Sequence, residues 1–370
     1  MAPRNPTRVV HIAFAPSPYN TPWLNALAKR VRLHVVYVAS RPSLVGFTSV
    51  WGVLPEFAHS FCDTRTLNFS DWEIRAQLPV GISRRLQHLD PDVLLICGWQ
   101  PAMLEPLVWS TVRRKHAVML HESSAFSGRL RGPLSSAIRR LFLRRCDAFV
   151  ACGTQAARYI ESLGVDRVKI VTSCLPSGLD PAAVTLPSKR PAGGTRFLFV
   201  GRLIARKRPV ELVSAFTRVR SIWPDSTLTI VGEGPMNDAV RAAAMVAGDS
   251  VRMLGQLEGA DLHDVYRQCD VLVLPAFREV WGMVVNEALL HGLYVITSDQ
   301  VGSAFDLIDD THGVLVPAGD DDALVNAMCE SALSVRLDAS ARANRARTVR
   351  AFGPDAHADD IATALELALG

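Results

Sequence analysis

The stretch DVLVLPAFREVWGMVVNEALLHGLYVITSD (270–299) decides the fold of this chain. It opens with an apolar run at 270–276 and closes with a second apolar run at 293–299. Strands that are covered on both faces are apolar throughout rather than alternating, so both runs are typical of buried strands. A helix is expected between them, after Gly282. The stretch therefore predicts a strand, a helix and a parallel strand, which is the repeating unit of an α/β sheet.

The same pattern recurs on both sides of this stretch. In the second half, strand-like runs occupy 196–202, 226–234, 250–256, 270–276, 293–299 and 313–317. In the first half they occupy 8–14, 33–39, 92–98, 116–121 and 148–153, with helical segments such as 21–31 between them. Two such series predict an α/β protein with two doubly wound, Rossmann-like domains that face one another across a cleft.

The domain boundary is expected near the segment PSKRPAGGT (187–195), whose Pro and Gly content is typical of a linker. We therefore expect a first domain over 1–185 and a second over 186–350. The last residues, 351–370, predict one helix that packs back across the boundary.

The composition is that of an ordinary globular protein, since 49% of the 370 residues are hydrophobic and 21% are charged. No apolar run reaches the ~18–20 residues that a membrane-spanning helix needs. The seven cysteines are scattered and form no CxxC pair, which favours reduced thiols over a disulfide or zinc framework. We expect a cytoplasmic protein.

Several motifs of common enzyme classes are missing. No GxGxxG follows the first strand of either half, and no GxxxxGK[ST], HExxH or GxSxG occurs, nor a DxD that would hold a divalent metal on a sugar diphosphate. These absences argue against the usual nicotinamide and flavin enzymes, P-loop kinases, zinc proteases and serine hydrolases. We expect no cofactor and no metal ion.

Two cations follow the first strand of the second half. Arg202 comes directly after FLFVG, and Lys207 lies five residues later, just before a helix. Cations at a strand-to-helix turn are well placed to bind a diphosphate, with help from the positive end of the helix. The simpler explanation is two exposed basic residues near a turn.

Two glutamates flank the turn within the opening stretch. Glu279 follows the strand, and Glu287 lies in the early turns of the helix. Carboxylates only accept hydrogen bonds, so they suit ligands rich in hydroxyl groups. Gly282 lets the backbone come close, and the amides of 282–284 are expected to face an anion. The alternative is an ordinary first-turn charge and a surface charge.

These linked motifs resemble those of the retaining GT-B glycosyltransferases of family 4, also called glycosyl transferases group 1, of the type that builds surface polysaccharides. The matching text is VGRL with Lys207, then IVGEGP, LGQ and LPAFREVWGMVVNEAL, then the block from Gly292 to Gly319. The resemblance implies a metal-independent, retaining transfer of a hexosyl group from a nucleoside-diphosphate sugar to a glycan, a lipid-linked or a small-molecule acceptor. It implies that Glu279 contacts the donor sugar and Glu287 the ribose diol. The implied donor-binding residues are Arg202, Lys207, Gly255, Gln256, Glu279, Trp281, Gly282, Met283, Val284 and Glu287.

The first half resembles the same family more loosely, and acceptor contacts are expected there. Tyr19 and Asn20 stand where many members carry paired glycines, and Trp99 and Gln100 follow a predicted strand. His121 ends another strand, where members often carry a histidine near the donor sugar; it therefore joins Glu279, Arg202 and Lys207 as a candidate catalytic residue. Two further departures are SGLD (177–180) in place of NGVD, and Arg208 in place of a glycine after Lys207.

Two other functions fit the same architecture. One is a sugar-nucleotide epimerase or hydrolase, and the other is a catalytically silent module that binds sugar nucleotides. Nucleic-acid binding is disfavoured because the basic residues are not interleaved with stacking aromatics.

The net charge of +4 hides an uneven distribution. Residues 1–185 hold 22 Lys and Arg against 12 Asp and Glu, and residues 186–370 hold 18 against 24. Six arginines lie within Arg129–Arg145, on a predicted helix with an apolar stripe formed by Leu134, Ala137, Ile138, Leu141 and Phe142. One interpretation is a helix that packs its stripe into the core and solvates its basic face. The other is a patch that docks on anionic lipid at the inner face of the cytoplasmic membrane.

Overall fold

The computed structural model describes residues 6–38, 53–69, 74–98, 101–121, 133–179, 184–186, 193–333 and 338–370. It divides the chain into two compact units. The first unit is Met1–Gly178 together with Gly353–Gly370, and the second is Leu179–Phe352. The sequence placed the corresponding boundaries at 185–186 and 350–351.

The first unit is built on a seven-stranded parallel sheet in the order β3-β2-β1-β6-β7-β8-β9. Strands β4 and β5, which lie between β3 and β6 in the chain, form a separate antiparallel pair. Its elements are β1 (Arg8–Ala13), α1 (Thr21–Ala28), β2 (Arg32–Tyr37), β3 (Ala58–Phe61), β4 (Thr64–Phe69), β5 (Ile74–Pro79), α2 (Ile82–Leu89), β6 (Val93–Cys97), α3 (Leu104–Arg113), β7 (His116–His121), α4 (Pro133–Leu143), β8 (Ala148–Cys152), α5 (Thr154–Ser162) and β9 (Ile170–Ser173).

The second unit is built on a six-stranded parallel sheet in the order β12-β11-β10-β13-β14-β15. Its elements are β10 (Arg196–Val200), α6 (Pro209–Ile222), β11 (Thr227–Val231), α7 (Asn237–Ala247), β12 (Val251–Met253), α8 (Gly259–Gln268), β13 (Val271–Leu274), α9 (Met283–Leu290), β14 (Tyr294–Ser298), α10 (Ala304–Leu307), β15 (Gly313–Val316), α11 (Asp321–Leu333) and α12 (Ala339–Arg350).

Both sheets confirm the predicted doubly wound, Rossmann-like architecture. In each, the chain winds outward from a central strand in one direction and then returns to that strand's other side. β1 pairs with both β2 and β6, and β10 pairs with both β11 and β13. Ligands of such sheets bind at this switch point, beyond the carboxyl ends of the strands.

Neighbouring residues of one strand pack on opposite faces of the first sheet. Val9 and Val35 belong to one apolar cluster, whereas Val10 and Val36 belong to another. This explains why the strands are apolar throughout, because both faces are covered.

The last helix, α13 (Pro354–Leu369), packs within the first unit. Its Ile361 is fully buried in the cluster that contains Val9. The His357 ring lies edge-on to Trp23, with 5.2 Å between ring centroids, and its Nδ1 lies 2.7 Å from Ser173 Oγ. Burial lowers the pKa of His357 to about 3, so this histidine is neutral and structural at pH 7.

A buried cluster of charged residues links the amino ends of β10 and β13. Asp270 is fully buried and pairs with Arg196 Nη2 at 2.7 Å and with Arg342 Nη1 at 3.2 Å. In the first unit, Arg8 and Asp92 occupy the corresponding places, with 2.9 Å between Nη2 and Oδ1. These pairs lie at the opposite end of each sheet from the switch-point loops, so they stabilise the scaffold.

The interpretation of the α4 stripe as core-packed is wrong for Ala137, Ile138 and Leu141, which are exposed, while the side chain of Leu134 lies outside the described residues. Ile138 and Leu141 are each 61% exposed, because the helix packs through Phe142 and Leu143 instead. On α3, Leu104, Val108 and Val112 are exposed as well. The two helices line an apolar cavity of about 340 Å³, which we call the α3–α4 groove. Arg129 and Arg131 lie outside the described residues.

The seven cysteines are thiols, and none of them forms a disulfide bond. Within the described ranges, no helix has the length and apolar character needed to cross a membrane.

Candidate active site at the switch point of the second unit

The loops that follow β10 and β13 are joined at the switch point of the second sheet. The amide of Phe277 donates to the Arg206 carbonyl at 2.8 Å, and Arg206 Nη1 donates to the Arg278 carbonyl at 2.7 Å. Because β10 and β13 are neighbouring parallel strands, their carboxyl ends meet at one edge of the sheet. The predicted cation and carboxylate motifs are therefore adjacent in space.

Glycines allow the loops at this edge to pack closely. A Cβ on Gly232 would lie 2.0 Å from the Gly201 carbonyl oxygen, and a Cβ on Gly201 would lie 2.9 Å from Lys207 Nζ. Both glycines have positive φ angles, +128° and +148°. The Lys207 side chain thus passes over a backbone position that accepts no side chain.

Lys207 and Glu279 form the central ion pair of the site. Lys207 Nζ lies 3.1 Å from Glu279 Oε2, and Arg206 Nη1 lies 3.4 Å from the same oxygen. The side chains of Lys207 and Glu279 are each only 12% exposed, so solvent screens this pair weakly. Lys207 ends a short 3₁₀ turn, Ala205–Lys207, that precedes α6.

The backbone around Glu279 is held by the loop after β14. The Glu279 amide donates to the Gln300 carbonyl at 3.0 Å, and the Gly302 amide donates to the Glu279 carbonyl at 3.1 Å. A Cβ on Gly302 would lie 2.0 Å from the Val280 carbonyl oxygen. The position of the Glu279 carboxylate is therefore fixed on both sides, by main chain on one and by cations on the other.

The turn from Glu279 into α9 depends on Gly282. Its φ of +91° is a left-handed conformation that favours glycine, and it allows α9 to begin at Met283. Its carbonyl accepts from the Val285 amide at 2.8 Å, while Met283 and Val284 are half-buried at the first turn. Their amides belong to the first turn of α9, where N–H groups lack partners within the helix.

Glu287 lies one helical turn further along, and it is buried. Its Oε2 accepts a hydrogen bond from the Tyr266 hydroxyl at 2.8 Å. Burial raises the pKa of Glu287 to about 7, although the Tyr266 hydrogen bond and the Lys207 charge act to lower it. A surface charge, the simpler explanation for this glutamate, is thereby wrong.

Two family models cover both units. The model described as Glycosyl transferases group 1 matches residues 194–332, and the model described as Glycosyltransferase Family 4 matches residues 21–182. The chain belongs to glycosyltransferase family 4.

Two curated relatives of this family 4 member come from mycobacteria. A glycogen synthase of Mycobacterium tuberculosis is 29% identical over 238 residues, which are 62% of this chain and 56% of that protein. A phosphatidyl-myo-inositol mannosyltransferase of Mycolicibacterium smegmatis is 32% identical over 185 residues, which are 48% and 46% of the two chains. The matched regions thus span about half the length of these relatives.

Solved structures share the fold across almost the whole chain. The Anabaena protein HepE, crystallised with UDP, superposes with a TM-score of 0.75 at 16% identity, covering 97% of this chain and 99% of that chain. The lipopolysaccharide outer core galactosyltransferase WaaB superposes with a TM-score of 0.70, also at 16% identity and with the same coverage. The fold of this family 4 member is GT-B, as the sequence resemblance implied.

The remaining predicted donor-side residues occupy different environments. Arg202 is exposed. Gly255 lies two residues after β12, and its carbonyl accepts a hydrogen bond from the Gly232 amide at 2.7 Å. Gln256 is exposed, and its side-chain amide donates to the Glu258 carboxylate at 2.9 Å. The Trp281 side chain is buried, and its Nε1 donates to Asn286 Oδ1 at 2.9 Å. This hydrogen bond ties the loop before α9 to the helix itself.

The predicted acceptor-side residues and the candidate catalytic residue His121 belong to the first unit. Tyr19 is exposed, and Asn20 Oδ1 accepts from Trp23 Nε1 at 3.3 Å just before α1. His121, at the end of β7, is buried with its ring 6.1 Å from that of Tyr159. Trp99 and Gln100 lie outside the described residues.

In the parts of the chain that the structure covers, no group of three or more His, Cys, Asp or Glu residues could hold a metal ion.

Sequence reasoning missed two side chains of this family 4 site. Arg206 reaches both Glu279 and the Arg278 carbonyl, and only its place next to Lys207 pointed to it. Tyr266 lies on α8, outside every quoted motif, and no spacing rule connects it to Glu287. The contact joins α8 and α9, which precede and follow β13 in the chain, and only the tertiary structure reveals it.

Proposed function

We propose that this chain is a retaining glycosyltransferase that transfers a sugar from a nucleoside-diphosphate sugar to an acceptor hydroxyl group without a metal ion. The observation that carries the proposal is the Lys207–Glu279 pair, 3.1 Å apart at the switch point of the second sheet, with the buried Glu287 as the fifth residue of α9, the helix that follows. Cations and acceptor-only carboxylates in one place match a ligand that combines a diphosphate with many hydroxyl groups.

In this proposal the donor lies along the carboxyl edge of the second sheet. The Lys207 ammonium has three N–H groups, so it donates to the diphosphate while it also contacts Glu279. Arg202 and the first-turn amides of α9 face the same diphosphate. Glu279 accepts from hydroxyls of the transferred sugar, Glu287 accepts from the ribose diol, and Gly255 and Gln256 flank the base.

The chemical step follows from this arrangement. The bond between the anomeric carbon and the donor phosphate oxygen breaks, and the acceptor oxygen forms a bond to the same face of that carbon. The departing diphosphate gains negative charge and takes the proton of the acceptor hydroxyl. Lys207, Arg202 and the α9 amides stabilise that charge electrostatically, which is commonly the largest contribution to catalysis of this kind.

The relatives support this reaction class without identifying the substrates. One relative is named a glycogen synthase and another a phosphatidyl-myo-inositol mannosyltransferase, so one acts on a glycan and the other on a lipid-linked acceptor. A structural neighbour was crystallised with UDP. We assign the acceptor to the class of glycan, lipid-linked or small-molecule acceptors, and its contacts to Tyr19 and Asn20 of the first unit. His121 is assigned as a catalytic residue near the donor sugar.

A panel of donors tests the proposal. The protein is incubated with UDP-, GDP-, ADP- and dTDP-sugars without acceptor, and nucleoside-diphosphate release and binding are measured. We expect one nucleotide to bind and its sugar to be hydrolysed slowly. Isomerisation of the intact donor would instead indicate an epimerase, and binding without any turnover would indicate a silent module. Failure of all four to bind would contradict the donor site itself.

We further propose that the partner of the first unit is an anionic membrane surface, at the inner face of the cytoplasmic membrane. The α3–α4 groove presents aliphatic side chains to solvent, among them Val112 at 74% and Ile138 at 61% exposure. Arg113, Arg140, Arg144 and Arg145 are exposed on the same two helices and the turn after α4. Apolar side chains ringed by arginines suit the boundary between acyl chains and anionic headgroups.

A further inference from the structure

Tyr266 joins two helices beneath the donor-side carboxylates. Its side chain is fully buried, and its hydroxyl on α8 donates to Glu287 Oε2 on α9 at 2.8 Å. A buried carboxylate has few routes to a second donor, so this hydrogen bond fixes which way the Glu287 group faces.

The Tyr266 ring is itself held in place by a histidine pair. It stacks on the His291 ring, with centroids 4.8 Å apart and planes inclined by 16°. His291 Nδ1 lies 2.7 Å from the Glu287 carbonyl oxygen, and its Nε2 lies 3.0 Å from His263 Nδ1. The His291 ring therefore cannot rotate without breaking these two polar contacts, and it in turn holds the Tyr266 ring that stacks on it.

The polar contacts of His291 determine which of its two ring nitrogens carries the hydrogen. A carbonyl oxygen only accepts, so Nδ1 of His291 carries the N–H. Burial lowers the pKa of His291 to about 4, so the ring is neutral at pH 7. Its Nε2 then has no hydrogen and accepts a hydrogen bond from the Nδ1–H of His263. Tyr266 thus rests on a neutral imidazole with one tautomer.

The consequence for Glu287 is a division of its two oxygens. Oε2 is taken by Tyr266, and among the described residues no hydrogen-bond donor reaches Oε1. We propose that Tyr266 is a positioning residue that holds the Glu287 carboxylate with Oε1 directed to the ribose diol of a nucleoside diphosphate. This inference rests on the proposed function, because it assumes that Glu287 binds the donor.

The same hydrogen bond favours the charged form of Glu287. Burial raises its pKa to about 7, and two groups oppose this effect: Tyr266 from α8 and Lys207 from the 3₁₀ turn. His291 and His263, the other titratable groups beside Tyr266, have lowered pKa values and add no positive charge near pH 7. Loss of the Tyr266 hydroxyl should therefore raise the pKa of Glu287 further.

The test compares Tyr266→Phe, Glu287→Gln, the double variant and wild type. Titration calorimetry with UDP, GDP and ADP from pH 5.5 to 9 gives the affinity of each variant. We expect Tyr266→Phe to weaken binding about tenfold at pH 7, the scale of one hydrogen bond to a charged group. At pH 9 only part of this loss should be recovered, because Glu287 is then ionised but is still not oriented by Tyr266. Tyr294→Phe is the matched control, since its ring faces Arg345 instead.

The double variant should bind as weakly as Glu287→Gln alone and share its loss of the pH dependence near 7. A loss in Tyr266→Phe that adds to the loss in Glu287→Gln, or a full recovery of wild-type affinity at pH 9, would overturn the positioning role. If no nucleotide binds wild type at any pH, the proposed function fails. In that case, unfolding measured across the same pH range still tests the contact. A midpoint of pH dependence that is unchanged in Tyr266→Phe would overturn it.

Discussion

Lys207 Nζ and Glu279 Oε2 lie 3.1 Å apart, although 72 residues separate them in the chain. The contact exists because β10 and β13 are neighbours at the switch point of the second sheet, so the loops after them share one edge. A cation and a carboxylate that are both 12% exposed constitute the polar centre of the proposed donor site.

Replacing Lys207 by alanine should abolish measurable sugar transfer while the protein remains folded. The variant removes a positive charge from the departing diphosphate, an effect of about 100- to 1000-fold on kcat for one preorganised donor. Glu279 keeps Arg206 as a partner at 3.4 Å, so the carboxylate is not left uncompensated. Steady-state kinetics with the donor that wild type hydrolyses give the comparison, and Lys169→Ala, an exposed lysine of the first unit, is the control.

Close loop packing at the site predicts different costs for two glycine substitutions. Gly232→Ala places a Cβ 2.0 Å from the Gly201 carbonyl oxygen at a φ of +128°, and should destabilise the protein by about 3 kcal/mol or more. Gly248→Ala, at a φ of +65° with no atom within 4 Å, should cost only about 1 kcal/mol. Denaturant unfolding of both variants gives the two values, and equal costs would contradict the packing described.

The buried carboxyl of Glu287 predicts a pH dependence of stability. Its folded-state pKa of about 7 exceeds the ordinary 4.5, so between these values the folded protein retains a proton that the unfolded chain has lost. The stabilisation is complete below pH 4.5 and disappears as the pH rises through 7. Glu287→Gln should lack this fall, and the gap between the two unfolding curves should change by up to about 3 kcal/mol. Parallel curves for wild type and Glu287→Gln would show that the carboxyl is not perturbed.

Membrane docking through the α3–α4 groove predicts binding to anionic vesicles. We expect wild type to sediment with phosphatidylglycerol vesicles and not with phosphatidylcholine vesicles, because the exposed arginines need anionic headgroups. Ile138→Ser combined with Leu141→Ser should release the protein, since both side chains are 61% exposed. Ile222→Ser, a 60% exposed isoleucine of the second unit, should not. Equal partitioning of wild type between the two lipids would argue against this surface.

The sequence predicted the two parallel sheets because buried strands are apolar throughout, as at 270–276 and 293–299. It also brought Lys207 and Glu279 into one site, since both follow strands that a doubly wound sheet places side by side. The sequence left the burial of Ile138 and Leu141 open because periodicity identifies an apolar face without showing what covers it. Tyr266 was missed because its contact with Glu287 depends on how α8 and α9 meet in the tertiary structure.

Donor turnover by Glu279→Ala tests the central claim most directly. The main chain of Glu279 is hydrogen-bonded to Gln300 and Gly302, and its carboxylate pairs with Lys207. Alanine keeps the main-chain hydrogen bonds, so the variant should fold with these loops in place. Release of nucleoside diphosphate is measured for wild type and variant with the same donor, alongside a thermal unfolding curve for each. The account predicts no detectable turnover by a protein that unfolds cooperatively near the wild-type temperature. Near-normal turnover by Glu279→Ala would contradict it.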